Sequence, residues 1–378
     1  MIYFDHNATT PVDEQVLEAM LPFYKTFYGN ASSLHRIGRL SRGAVETARA
    51  QVAALVGVSP SQVILTSGGT EANNLAIRGS GGSLPRGSIA VGATEHPSVL
   101  EPLAALVNKG WRSNTLRVDD DGLIDPASIA TITDPDLRFA SVMLANNETG
   151  VVQDVATLAD RFREQGILIH CDAVQGVGKI PVKFDTLKVN LLSLSGHKIY
   201  GPKGVGALIV DKSVALQPVL YGGGQERGLR GGTENVAAIV GIGKAAELAL
   251  SGWDEAAKHL MKLRRRLECG LDALAPVRIF ARDAVRLPNT VQFGIKGFDG
   301  EMIVMELDRR GVAVSSGSAC SSEGNEPSHV LLAMGITPDL ARSAVRISLG
   351  KQNTATDIDN FLEVLQRIIP AGGRRMQA

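Results

Sequence analysis

Cysteine is scarce in this chain and neither sign of charge is in surplus. Its 378 residues hold three cysteines, Cys171, Cys269 and Cys320, far apart and without a C-x-x-C spacing. Neither a disulfide framework nor a zinc site follows from them, and a reducing, cytoplasmic compartment is the expectation. Lys+Arg and Asp+Glu both number 39, so the formal net charge is zero, which argues against broad electrostatic binding of nucleic acid. The start, Met1-Ile2-Tyr3-Phe4-Asp5-His6, lacks the basic and apolar regions of a signal peptide. No apolar run approaches the ~18–20 residues of a membrane span. A Walker loop is absent as well. No Lys-Ser/Thr follows Ser67-Gly68-Gly69-Thr70-Glu71, and Gly176-Val177-Gly178-Lys179 runs into Ile180.

What is present is a globular composition, 44% hydrophobic and 21% charged, with 41 glycines for turns and close backbone approaches. The length suits two domains. The most informative stretch is Leu191-Leu192-Ser193-Leu194-Ser195-Gly196-His197-Lys198. An apolar run there ends in a small polar cluster that delivers one lysine. A buried strand presenting a lone amine at its carboxyl end can hold a Schiff-base lysine, because a desolvated lysine shifts its pKa readily. A solvated lysine after a strand is the equal alternative on this stretch alone.

From about residue 60 to 210 strands and helices alternate, which predicts a mostly parallel sheet with helices on both faces. Strands are expected at 62–66, 88–91, 139–144, 167–172 and 205–210. Ligands in such sheets bind at the carboxyl ends of strands. Thr70, His96, Asn147, Asp172 and Lys198 all fall at or just after predicted strand ends, so one shared pocket is expected. Gly68, Gly69 and Thr70 open a helix after a strand, a geometry that presents free N–H groups to an anion. Asp172 on a buried strand needs a partner, and a protonated ring nitrogen would be one. His96 beside Pro97 could stack on a planar cofactor or sit on the surface. Asn7 lies in a polar, turn-forming string that is a loop or reaches a ligand. Cys171 reads as a small core residue.

Helices are expected at 12–25, with Val16, Leu17, Met20 and Leu21 on one face, and at 39–55, 235–250 and 253–274. Gly222 to Thr233 is a glycine-rich loop with two arginines, either a linker or a phosphate-facing loop at a subunit boundary. After Val277 the pattern restarts, with a strand at 289–293, a helix at 301–310 and a strand at 312–314. Cys320 follows on a polar, turn-rich segment, where an exposed thiol is a candidate nucleophile. The seven residues after it span about 20 Å when extended. Arg346 sits among apolar residues in the strand 344–349, so its guanidinium needs a substrate carboxylate or a structural ion pair. The tail from Ala371 reads as disordered.

Taken in order, Ser67-Gly68-Gly69-Thr70-Glu71, Glu95-His96-Pro97, Asn146-Asn147-Glu148-Thr149-Gly150, Asp172-Ala173-Val174-Gln175, Ser195-Gly196-His197-Lys198, Arg230-Gly231-Gly232-Thr233 and Ser316-Gly317-Ser318-Ala319-Cys320 closely resemble the cysteine desulfurases of the NifS/IscS group. The resemblance implies an α/β architecture, the pyridoxal-phosphate-dependent transferase fold type I (aspartate-aminotransferase-like). A large domain with a mostly parallel sheet, 16–255, would be joined to a smaller α+β domain made of 1–15 and 256–378. The small domain would carry a mobile cysteine loop at about 315–328. It implies pyridoxal 5'-phosphate as cofactor, bound to Lys198 as a Schiff base. Asp172 pairs with the ring nitrogen, Gln175 bonds the ring oxygen, and His96 stacks on the ring and handles protons. Gly69, Thr70, Ser195 and His197 hold the phosphate, and Thr233 arrives from the second subunit of a homodimer. Asn7, Asn147 and Arg346 orient the substrate.

The implied reaction moves sulfur from L-cysteine to Cys320, leaving L-alanine and a persulfide. The persulfide is passed to an acceptor such as an iron–sulfur scaffold or a thiolation carrier. No metal site is expected beyond a cluster transiently ligated by the Cys320 persulfide. The segment Ser321–Pro327 fits the longer cysteine loop of this group. The chain ends soon after its last helix, without the extended tail that housekeeping members use to dock the scaffold, which leaves the acceptor open. A selenocysteine lyase or a related class V aminotransferase is the nearest alternative. A non-catalytic sulfur carrier, needing Cys320 but not Lys198, is the alternative from another class.

Overall fold

The computed structural model describes residues 1–130, 132, 134–317 and 326–369. Cys320, most of its loop and the tail from 370 lie outside the described residues. A short strand, β1 (Ile2–Tyr3), opens the chain. The large sheet then comprises β2 (Val63–Thr66), β3 (Ser88–Gly92), β4 (Arg112–Leu116), β5 (Leu137–Met143), β6 (Leu168–Asp172), β7 (Leu191–Ser195) and β8 (Gly206–Val210). Its order is β2-β8-β7-β6-β5-β3-β4. The sheet is parallel except at β8, which runs antiparallel to both β2 and β7. Strand β4 escaped the sequence reading because Arg-Ser-Asn-Thr-Leu is a polar edge strand with only Leu116 buried. An edge strand bears no alternating apolar pattern when its outer side meets water.

Alternation along the central strands sends side chains into two layers. Val63 and Leu65 join the core under the helices Arg36–Val56 and Val236–Asp272, whereas Ile64 joins the core under Gly69–Ser83 and Pro97–Val107. In the helix Glu14–Lys25 only Val16 and Met20 are buried, and Leu17 and Leu21 are 48% and 39% exposed. At ~100° per residue Leu17 and Leu21 stand a quarter turn round from the buried pair, which corrects the wider apolar face expected above.

Beyond Pro276 the chain builds a second sheet from β9 (Val277–Ile279), β10 (Thr290–Ile295), β12 (Ser315–Ser316) and β13 (Ala344–Ser348), with β11 (Val312–Ala313) pairing in parallel with β1. The order is β12-β13-β10-β9, all antiparallel. Phe4, Val291, Phe293, Val345 and Ile347 fill its core with residues of the last helix, Ala355–Ile368.

The two helices expected at 235–250 and 253–274 are one, Val236–Asp272, 37 residues long. Gly252 weakens an exposed helix interior by about 1 kcal/mol, and packing at both ends offsets that. Ala245, Ala246 and Ala249 belong to the large core, and Leu260, Leu263 and Leu267 to the small one. By length and hydropathy this helix would pass as a membrane span, but half of its apolar window is buried inside the protein. Lys244 and Glu247 interrupt the run, which is why no long apolar stretch stands out in the sequence.

His170 on β6 is fully buried, 2.9 Å from both Ser141 Oγ and Ser193 Oγ. Burial pushes its pKa from 6.5 to about 3. The unfolded chain therefore binds the extra proton below pH ~6.5, and stability falls as pH drops from there towards 3. At pH 5 the loss from this group is about 2 kcal/mol. His6 and His197, both lowered to about 4 by burial, act in the same direction. H170Q should therefore show a shallower decline in denaturation midpoint between pH 7 and pH 5 than the parent. An identical decline would remove His170 from the acid sensitivity.

Candidate active site

The carboxyl ends of β3, β5, β6 and β7 open into a cleft of about 430 Å³ between the two sheets. It is lined by Asn7, Gly69, Thr70, His96, Asn147, Asp172, Gln175, Ser195, His197, Lys198 and Arg346. The structure thus brings together every candidate cofactor and substrate residue among those described except Thr233. That threonine is exposed and does not line the cleft. Its loop is pinned elsewhere: Glu226 makes a two-pronged pair with Arg49 at 2.7 and 2.8 Å and accepts from the Leu65 N–H at 2.9 Å. The pair holds Glu226 and Arg227 in the left-handed region, φ 46° and 60°, a conformation that costs non-glycine residues of order 1–3 kcal/mol.

One wall of the cleft is the start of the helix Gly69–Ser83. Gly68 precedes it with φ 154° and ψ −177°, a backbone region open essentially to glycine alone. That turn aims the helix's free N–H groups into the cleft beside Ser195, whose buried Oγ has no hydrogen-bond partner. Four residues into the helix stands Asn73, which the sequence reading missed. Its Nδ2 donates to Asp172 Oδ2 at 2.7 Å and to Ser98 Oγ at 2.8 Å. The Val174 N–H donates to Asp172 Oδ1 at 2.9 Å. Each carboxylate oxygen therefore has one bond and room for another. Ser98 lies in turn 2.8 Å from His96 Nδ1, and its own N–H donates to that nitrogen at 3.1 Å. A nitrogen that accepts carries no proton, so the neutral His96 ring bears its hydrogen on Nε2. Burial lowers the His96 pKa, with Asp172 opposing the shift.

Behind Asp172 lies a second carboxyl, Glu95. Burial first, and the Asp172 charge second, push its pKa well above the carboxylate range. Both effects favour the protonated form of Glu95.

On β13 Arg346 is buried and pairs with Asp5 Oδ1 at 2.7 Å while Nη1 donates to the Asn147 carbonyl at 3.1 Å. Its Nε is buried without a partner. The sequence left open a structural pair or a ligand; Asp5 supplies the pair, and the guanidinium still lines the cleft. Asn7 is more enclosed than a ligand-binding loop residue would be. Its Nδ2 donates to Asn147 O and Thr290 Oγ1, and its Oδ1 accepts from Lys179 and Asn289. The Asn7 carbonyl accepts from Lys198 Nζ and from Gln175 Nε2, and Lys198 also donates to the Ala8 carbonyl at 2.7 Å. His197 Nδ1 lies 3.2 Å from Thr9 Oγ1. Among the described residues no cluster of His, Cys, Asp and Glu is arranged to hold a metal.

The profile of the aminotransferase class-V family matches residues 2–361. A relative named cysteine desulfurase IscS, from Dictyoglomus turgidum, is 44% identical over 374 residues, covering 97% of this chain and 94% of the relative. A solved NifS-like protein superposes with a TM-score of 0.92 at 39% identity, over 97% of this chain and 98% of that one. A structure described as SspA in complex with cysteine has a TM-score of 0.82 at 32% identity, over 94% of this chain and 100% of that one. Matches of this extent, to proteins whose shared architecture is the two-sheet arrangement described above, mean that the chain belongs to the aminotransferase class-V family, in its cysteine desulfurase group.

Proposed function

We propose that the cleft binds pyridoxal phosphate and that the chain is a cysteine desulfurase, taking sulfur from L-cysteine and leaving L-alanine and a persulfide on Cys320. The observation that carries this reading is the convergence, in one cleft, of Lys198, the Asp172 carboxyl and a helix N-terminus beside the unpartnered Ser195 Oγ. That donor set fits a phosphorylated pyridine. Gly69, Thr70, Ser195 and His197 would hold the phosphate, and Asp172, steadied by Asn73 and the Val174 N–H, would hold a proton on the ring nitrogen. When bound, pyridoxal phosphate supplies an electron sink that makes the substrate's Cα proton acidic.

The residues of the chain do the rest. Lys198, which lines the cleft, takes the Cα proton once its amine is released from the cofactor. His96 presents Nε2–H as a donor, with Nδ1 held by Ser98. Arg346, kept in place by Asp5, receives the substrate carboxylate. The Cys320 thiolate attacks the substrate sulfur. The carbon–sulfur bond breaks, a sulfur–sulfur bond forms, and the thiol proton and the bond's electron pair go to the alanine side, so cysteine and protein thiol become alanine and protein persulfide. Thr233, exposed and away from its own cleft, supports a homodimer in which it serves the other copy's phosphate. An iron–sulfur scaffold or a thiolation carrier would take the sulfur in a cytoplasmic setting.

The test is to supply the purified holoenzyme with L-cysteine and a thiol reductant and to measure alanine and released sulfide. Equal amounts are expected. A keto acid without sulfide would overturn the reading in favour of transamination.

A further inference from the structure

Beside the site lies a second lysine, a buried one, that the reaction above does not use. Lys179 lies four residues after Gln175, in the turn that follows β6, and Gly178 between them has φ 77°. A Cβ at Gly178 would stand 2.7 Å from Ile199 Cγ2, so glycine lets the turn close against the segment carrying Lys198. Lys179 is buried, at 9% exposure. Its Nζ meets two oxygens, Asn7 Oδ1 at 2.9 Å and Gln175 Oε1 at 2.6 Å. Both are neutral amide carbonyls, and among the described residues no carboxylate pairs with the amine. Lys179 and Lys198 also line one small cavity of about 30 Å³ on the far side of the cleft.

We propose that Lys179 is a positioning residue for Lys198, acting through the Gln175 side chain and the Asn7 residue whose main-chain carbonyl both Gln175 and Lys198 share. The inference rests on the reading that Lys198 carries the cofactor and moves the Cα proton. A neutral amine has two N–H bonds, and two acceptor oxygens use both. Because each amide turns its oxygen to Lys179, each must turn its NH2 the other way. Gln175 Nε2 therefore donates to the Asn7 carbonyl at 2.9 Å, and Asn7 Nδ2 to Asn147 O and Thr290 Oγ1. That same Asn7 carbonyl accepts from Lys198 Nζ. Lys179 thus sets the direction of Gln175, whose Nε2 shares the Asn7 main-chain carbonyl with Lys198, and ties down the side chain of the same Asn7.

Burial, then the charges of Lys198 and Arg346, lower the Lys179 pKa well below that of an ordinary lysine, in keeping with a neutral donor. The inference extends the proposed reaction by one residue without adding a chemical step to it.

The test uses the holoenzymes K179M and K179Q. K179M keeps the length but offers no donor, so Gln175 Oε1 loses its Lys179 bond and Asn7 Oδ1 keeps only that from Asn289. Without substrate, the pH midpoint of the bound cofactor's visible band should move upward by half a unit or more, because the released Gln175 oxygen favours a protonated nitrogen at Lys198. With L-cysteine, kcat should fall about tenfold while KM stays within about twofold. The isotope effect from Cα-deuterated cysteine should rise as proton transfer becomes slower. K179Q, which keeps one donor, should shift the same way by less. A parental band midpoint and isotope effect in either folded variant would overturn the proposal, as would a change in KM alone. Absence of a visible cofactor band from the parent protein would instead refute the reading on which it rests.

Discussion

Lys198→Ala should lower kcat for L-cysteine by about 10⁴-fold or more, because one residue both anchors the cofactor and moves the proton. That corresponds to about 5.5 kcal/mol of transition-state stabilisation. The protein should still fold, since Lys198 belongs to neither hydrophobic core. Borohydride should fix cofactor to the parent protein and no longer to the variant, although Gly69, Thr70, Ser195 and Asp172 would still retain it non-covalently. Exogenous methylamine offers a second measurement, since a small amine can enter the vacated space and restore part of the rate. Turnover within tenfold of the parent would show that another group carries the chemistry.

Cys320→Ser should abolish protein-bound sulfane sulfur and lower sulfide release by about 10³-fold. A serine hydroxyl is far less acidic and less polarisable than a thiol and does not take sulfur from a thiol substrate. The other two cysteines are poor substitutes. Cys171 is fully buried on β6, where burial and the charge of Asp172 push its pKa well above 9. Cys269 is exposed on the helix Val236–Asp272 and outside the cleft. Cys269→Ser should leave turnover within about twofold. The serine variant at 320 should still exchange the Cα proton of L-alanine with solvent deuterium, because Lys198 and the cofactor are intact. Unchanged sulfide release would show that sulfur leaves without that thiol, and loss of the exchange as well would show that the variant damages the cofactor site.

Five members of the site were legible because each lies at or just after the end of a strand. Thr70, His96, Asn147, Asp172 and Lys198 follow β2, β3, β5, β6 and β7, and parallel strands put all such ends on one edge. What escaped were residues whose partners are distant. Asn73 looks in sequence like one polar residue in a helix, yet its amide joins Asp172, ninety-nine positions on, to Ser98. Asp5 reads as a loop residue, and only the pairing of β1 with β11 and the bridge from Asp5 to Ser348 bring it to Arg346. Lys179 follows a glycine turn that resembles an incomplete phosphate loop, and its two acceptors appear only once Asn7 is folded against it.

By itself the sequence determined the alternation of strands and helices and which residues fall at the carboxyl ends of the strands, because both depend on local periodicity. The tertiary structure decided the antiparallel setting of β8, the single 37-residue helix joined to both cores, the raised pKa of the buried Glu95, and the enclosure of Asn7. Each of these is a balance between groups far apart in the chain, and burial and charge act on such groups only after packing has made them neighbours.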